Sequence, residues 1–293
     1  MTRKQARGEL RERFYRSVAE TLSLLHTAPG YDRRLALTEV ARIIAATMDL
    51  PLVWIGRREP EHAAVEVLAA AGPEAGYAAN LKISANEHEP GGRGPLANVL
   101  REGKARAVTI DAPEFAPWRD AALRHGLGSC IVAAATIRDG GQLTLAAYAR
   151  TGAPLLSDEL LDWAQRLADE LARFWDHQAL LERNLRMSRY RDAQRMIQRA
   201  LLEQPDPAAV FRTLAQALVD VAGAAAVEVF AAEGNGELLQ PVALVGPMAE
   251  AMQLLPVPAR HSDGPAVYTP TLAFMQGMPV VRVRPAENPH AAA

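Results

Sequence analysis

Leu52-Val53-Trp54-Ile55-Gly56 is a β-rich run that follows an amphipathic helical stretch within a few residues. Val227-Glu228-Val229-Phe230 stands in the same place after a second such stretch, at an offset of about 174 residues. Further on, residues 100–107 line up with 274–281 at that offset, so that Gly103 falls on Gly277. An equal offset at both ends of a segment marks an internal repeat. The preceding helices match loosely as well: residues 14–26 run up to Pro29, and residues 190–204 up to Pro205. The unit is therefore helix, proline break, helix and a mixed α/β module. Ala293 corresponds by the same offset to Arg119, so the second copy is expected to be partial, either truncated or degenerate.

Bulk properties fit two such modules. The chain has 293 residues, of which 49% are apolar and 23% charged, ordinary figures for a globular protein of about two domains. A formal net charge of −2 gives no reason to expect a nucleic-acid partner. Arg3, Lys4, Arg7, Arg11 and Arg13 are interleaved with Glu9 and Glu12, as on a solvated helix face. Cys130 is the sole cysteine, which excludes an intramolecular disulfide and fits a reducing compartment. The polar start of the chain and the lack of any run of about 18 apolar residues predict no membrane span and a cytoplasmic location.

Outward from Leu52, apolar spacing predicts a helix over 32–48 and strands over 51–58 and 64–70, joined by a charged loop containing Pro60. Leu81-Lys82-Ile83-Ser84 is a short strand candidate. A polar, Gly-rich loop over 85–95 leads into a helix ending at Gly103, a left-handed stop. A strand over 105–110, a short helix over 116–125 and a strand over 129–137 follow, and Asp139-Gly140-Gly141 turns the chain into a last strand over 143–149. The hairpins predict an α+β fold with an antiparallel sheet.

Ser157, followed by Asp158 and Glu159, caps the start of a long helix. Leu160, Ala164, Leu167, Leu171, Phe174, Gln178, Leu181 and Leu185 follow alternating steps of four and three, a heptad seam. Beyond Leu185 the stripe shifts phase to Met187, Tyr190, Ile197 and Leu201. About 45 helical residues would reach roughly 65 Å. A homodimeric coiled coil that transmits a register change is the expectation; the alternative packs the first half of the helix on the first module. The domains read as an N-terminal helix (1–30), a first module (31–156), the connecting coiled-coil helix (157–204) and a partial second module (205–293).

Leu52 to Gly56, the glycine-rich residues 90–95, residues 100–103 and residues 115–119 together resemble the GAF domains that stand beside PAS, diguanylate cyclase and histidine kinase modules in bacteria. The resemblance implies a six-stranded antiparallel sheet, helices on one side forming dimer contacts, and a ligand pocket on the other. It also implies a regulatory input rather than a catalyst. No Gly-Gly-Asp-Glu-Phe-like, Glu-Ala-Leu, kinase or helix-turn-helix signature occurs. An output domain, a diguanylate cyclase acting in cyclic di-GMP signalling by resemblance, is then expected beyond Ala293 or on a partner.

Candidate site residues follow from this frame. Trp54 lies in the first motif, and Arg93 sits in a glycine-rich stretch that reads as a tight turn or a pocket lid. Asp111, Trp118 and Arg119 flank the segment that would close over a pocket, Trp118 covering a planar ligand and Arg119 a polar group. Cys130 reads as a small buried residue, although GAF cysteines can hold bilin or iron. His125 reads as a helix-end histidine, and the resemblance makes it a candidate axial ligand for haem. Asn86-Glu87-His88-Glu89 reads as an exposed loop. No nucleophile, base and orienter come together, so no enzyme is expected. The cofactor and the small-molecule ligand stay unnamed. A scaffolding module whose pocket is filled by side chains, and a haem- or iron-loaded sensor, are the alternatives.

Overall fold

A computed structural model of the chain describes residues 3–27, 32–152, 157–232, 234, 236–253, 255–260 and 269–277. They form two compact units, Met1–Leu181 and Glu182–Ala293. The break expected at Pro29 and the far end of the repeat at Val281 lie outside the described residues.

In the first unit α1 (Arg3–Thr27) leads to α2 (Arg33–Met48), whose start is fixed by the Asp32 carboxylate accepting from the backbone N–H groups of Arg34 and Leu35. β1 (Leu52–Arg58) and β2 (Val65–Ala71) follow, then α3 (Pro95–Glu102), β3 (Arg106–Thr109), α4 (Arg119–Arg124), β4 (Leu127–Thr136) and β5 (Gln142–Arg150). The sheet has the order β2-β1-β5-β4-β3 and every pairing is antiparallel.

Because side chains alternate along a strand, each strand serves two cores. Val53, Ile55, Ile131, Ala133, Leu143 and Leu145 point to one side. There they meet Leu37, Val40 and Ile44 of α2 and Leu160, Trp163, Leu167 and Leu171 of the long helix α5 (Asp158–Glu203). Leu52, Trp54, Cys130, Val132, Ala146 and Tyr148 point to the other side, under α3 and the loops around it.

Three expectations need correction. The sheet has five strands, not six. Around Leu81–Ser84 only the isolated bridge Ala64↔Ser84 forms, because the chain turns there: Ser84 N donates to Gly91 O at 3.2 Å, and the Ser84 hydroxyl accepts from Asn86 N. The helix expected over 116–125 is split into a 3₁₀ turn (Pro113–Trp118) and α4; Pro117 brings no N–H, and the tighter turn precedes the helix. In α5 the seam residues Leu160, Ala164, Leu167, Leu171 and Phe174 are buried in the first unit's own core. That half of the heptad stripe is spent on the sheet, whereas Leu185 is 61% exposed.

The second unit contains the rest of α5, then α6 (Pro207–Ala222), β6 (Val227–Ala232), β7 (Leu238–Val245), β8 (Val257–Pro258) and α7 (Thr269–Gln276). The repeat holds here in fine detail. Asp206 caps α6 as Asp32 caps α2. Val227 pairs Val245 as Val53 pairs Ala71, and the register slips after Val229 as it does after Ile55. Gly246 (φ 133°) repeats Gly72 (φ 103°), each with a backbone carbonyl where a Cβ would lie: Ala225 O at 2.6 Å and Pro51 O at 2.4 Å. The helix α7 with Gly277 takes the place of α3 with Gly103. The counterpart of Leu81–Ser84 is β8, so this strand position is two residues long even where it pairs.

Candidate ligand pocket

The sheet face turned away from α2 and α5 carries large aromatics on small neighbours. Gly56 makes room on β1: a Cβ there would stand 3.0 Å from the Trp54 ring and 3.0 Å from the Thr144 hydroxyl. Trp54 is fully buried. Tyr148 on β5 is flanked by Tyr77 at 5.8 Å and Phe115 at 6.5 Å between ring centroids, both edge-on. Over them lie the first turn of α3 and the 3₁₀ turn that ends in Trp118. The Trp118 ring seats directly on Gly94, where a Cβ would come within 2.4 Å of it. Between floor and lid remains a cavity of about 20 Å³, space for roughly one water. It falls far below the few hundred Å³ usual for ligand pockets.

The lining is apolar and aromatic, with Trp54, Ile83, Leu96, Phe115, Trp118 and Tyr148 prominent. Three polar atoms set into this face, Trp54 Nε1, Tyr77 Oη and Thr144 Oγ1, are buried without a well-formed hydrogen bond, Trp54 Nε1 having the Tyr148 hydroxyl nearby. Such groups are costly in a dry interior and call for an explanation. Burial pushes the phenols of Tyr77 and Tyr148 and the thiol of Cys130 well above their ordinary values. The neighbouring Cys130 adds to the rise at both tyrosines, and Glu114 to that at Cys130. All three are therefore neutral at physiological pH.

Trp54, Trp118 and Cys130 share this face and core, with Cys130 buried and outside the cavity lining. The other candidates do not converge on it. Arg93 is exposed and donates from Nε to Glu87 O at 3.0 Å. The Arg119 guanidinium donates to the carbonyls of Ile110, Asp111 and Ala112, bracing the loop before the lid. Asp111 is exposed and joins this brace through its backbone. His125 stands at the end of α4 with Nδ1 2.8 Å from Glu74 Oε2 and its ring edge-on to Tyr77. Among the described residues no group of three or more His, Cys, Asp and Glu could hold a metal ion. Sequence reasoning missed Tyr77, Thr144 and Tyr148; period-two alternation from Leu143 would have placed the last two on the face opposite Leu145.

One side chain joins the lid to the long helix. Gln165 of α5 accepts at Oε1 from Ala105 N, in the link between α3 and β3, and donates from Nε2 to Ala134 O on β4, each at 3.0 Å. Nearer the end of the unit, Asp176 accepts from Arg138 N in the β4–β5 turn. α5 is thus hydrogen-bonded to the pocket strand and to the lid's exit.

No protein-family model matches the sequence, and no curated protein matches it. Among solved structures, the chain is similar to a bacteriophytochrome of the photosynthetic bacterium R. palustris at 13% identity, covering 76% of this chain and 49% of that one, with a TM-score of 0.53. It is similar to the photosensory core module of Stigmatella aurantiaca phytochrome at 13% identity, covering 81% and 50%, with a TM-score of 0.50. The GAF domain of A. aeolicus nlh2 in an inactive state shares 16% identity over 58% of this chain and 99% of that one, with a TM-score of 0.45. The chain spans about half the length of each phytochrome. At these identities the likeness to the two phytochromes is one of fold alone. Among the described residues no helix is long and apolar enough to cross a membrane.

Proposed function

We propose that this chain is a sensory input region of a signal-transduction protein: its first unit takes up a small molecule between sheet and lid, and α5 carries the response onward. The observation that supports this most is the Gln165 bridge, which ties α5 both to the lid's exit at Ala105 and to the pocket strand at Ala134. A ligand that lifts α3 or spreads the sheet changes both bonds, and a helix held by discrete contacts responds by shifting between arrangements. α5 runs without interruption past Leu181 into the second unit. Pairing of two copies through exposed Leu185, Met187 and Tyr190 belongs to the same reading, with sedimentation of the full chain as its test.

The test of sensing is a thermal-shift screen of a metabolite library on the full chain, followed by hydrogen exchange with each stabilising compound. At least one compound is expected to raise Tm and to alter exchange in α3, the Pro113–Trp118 turn and α5. A screen in which no compound stabilises the protein would favour a second reading, a dimerisation module whose pocket is filled by its own side chains. The small cavity favours that reading; the buried donors without a well-formed hydrogen bond weigh against it.

A further inference from the structure

Resting on the sensing reading, the pocket also specifies the chemistry of its ligand. We infer that it takes an uncharged, flat, bicyclic aromatic molecule bearing a hydrogen-bond acceptor, which occupies the place held by the Trp118 indole.

Charge is decided by the lining, which contains no ionisable group other than the neutral phenol of Tyr148. The arginines around the lid are turned to backbone carbonyls: Arg93 to Glu87, Arg101 to Gly92, and Arg119 to Ile110 and its neighbours. An anion or cation entering here would lose its hydration and meet no counter-charge. The acceptor is decided by Trp54. Its side chain lines the cavity, and its fully buried indole N–H makes no well-formed hydrogen bond, with only the Tyr148 hydroxyl close to it. An indole N–H only donates, so the group that satisfies it is an acceptor on the ligand. Shape is decided by Trp118. Trp54 and Phe115 are buried, but Trp118 is half-exposed and rests edge-on to Phe115 at 5.9 Å. Its six-membered ring fills the hollow above Gly94. Turned outward, Trp118 vacates a slot cut to a fused two-ring system beside Phe115 and above Trp54.

The test is isothermal titration calorimetry of the full chain with three probes: quinoline, naphthalene and quinoline-2-carboxylate. Quinoline is expected to bind at least ten-fold more tightly than naphthalene, which lacks the acceptor, and than the carboxylate, which adds a charge. Trp54→Phe should bring quinoline down to the naphthalene level and leave naphthalene unchanged, with circular dichroism confirming the fold. Gly94→Ala, which pushes Trp118 off its seat, should tighten both neutral probes. Quinoline binding no better than naphthalene, or no better than the carboxylate, overturns the ligand class and leaves the site standing. If none of the three binds to wild type or to Gly94→Ala, the class is overturned. The sensing reading falls with it only when the library screen also finds no responsive compound.

Discussion

Gly72 holds φ at 103° with Pro51 O 2.4 Å from the position of a Cβ, whereas Gly103 holds φ at 69° with open space around it. Both are left-handed, but only one is also crowded. Gly72→Ala is therefore expected to cost about 3 kcal/mol, from strain and a backbone clash together. Gly103→Ala should cost about 1–2 kcal/mol, the ordinary penalty for a Cβ in that region. Urea midpoints of the two variants check the order. The buried acids make a second prediction. Cys130, Tyr77 and Tyr148 keep their protons in the folded state above their ordinary values near 9 and 10. Below pH 9 both states hold these protons and stability does not depend on them. Above it only the unfolded chain releases them, so stability falls as pH rises, by about 1.4 kcal/mol per pH unit for each group titrating. Urea unfolding between pH 8 and 10.5 should show this loss, and Cys130→Ala should remove the part that begins near pH 9. At this scale the motifs point to Trp54 and Trp118, and both line the cavity. Arg93, Arg119 and Asp111 lie outside that lining, and sequence shows that a guanidinium is near a loop but not that backbone carbonyls will engage it.

Elements were easier to read than their purposes. The long helix was visible from Ser157 onward, and its heptad stripe is present in the sequence as it stands. A stripe of Leu and Ala at steps of three and four faces a sheet as readily as a partner helix, because both are apolar surfaces at one side of a cylinder. What decides is the other side of the contact, and Val53, Ile55, Leu143 and Leu145 supply it. Trp163→Ala, in this buried half, is expected to cost about 3–5 kcal/mol. Leu185→Ala, on the exposed half, should change the stability of the first unit by less than about 0.5 kcal/mol. Chemical denaturation of both variants, followed by tryptophan fluorescence, separates the two halves. The missing sixth strand has a similar cause: Leu81 and Ile83 have strand composition, but they line the cavity, and the backbone turns away at Ser84.

For the whole molecule, the internal repeat was the strongest signal in the sequence, because it needs only equal spacing and not a correct judgement of any single element. It reappears down to the crowded glycines and the strand slip. The two copies differ in core. The first unit buries two large clusters, while the cluster of the second, among the described residues, is Leu239, Val257 and Ala259 with Phe230 packed on them, beside scattered buried alanines such as Ala215 and Ala217. All four tryptophans, Trp54, Trp118, Trp163 and Trp175, lie in the first unit. Urea titration should therefore show far-ultraviolet dichroism declining before tryptophan fluorescence does, as the smaller core gives way first.

In the proposed sensor, the state of the pocket reaches α5 through Gln165. The most direct test of this is hydrogen exchange of the full chain with and without a saturating pocket binder, in wild type and in Gln165→Leu. Exchange over residues 160–176 is predicted to change on binding in wild type and to stay constant in Gln165→Leu, which should still bind the compound. Binding that leaves α5 exchange unchanged in wild type, or an equal change in both proteins, would contradict it.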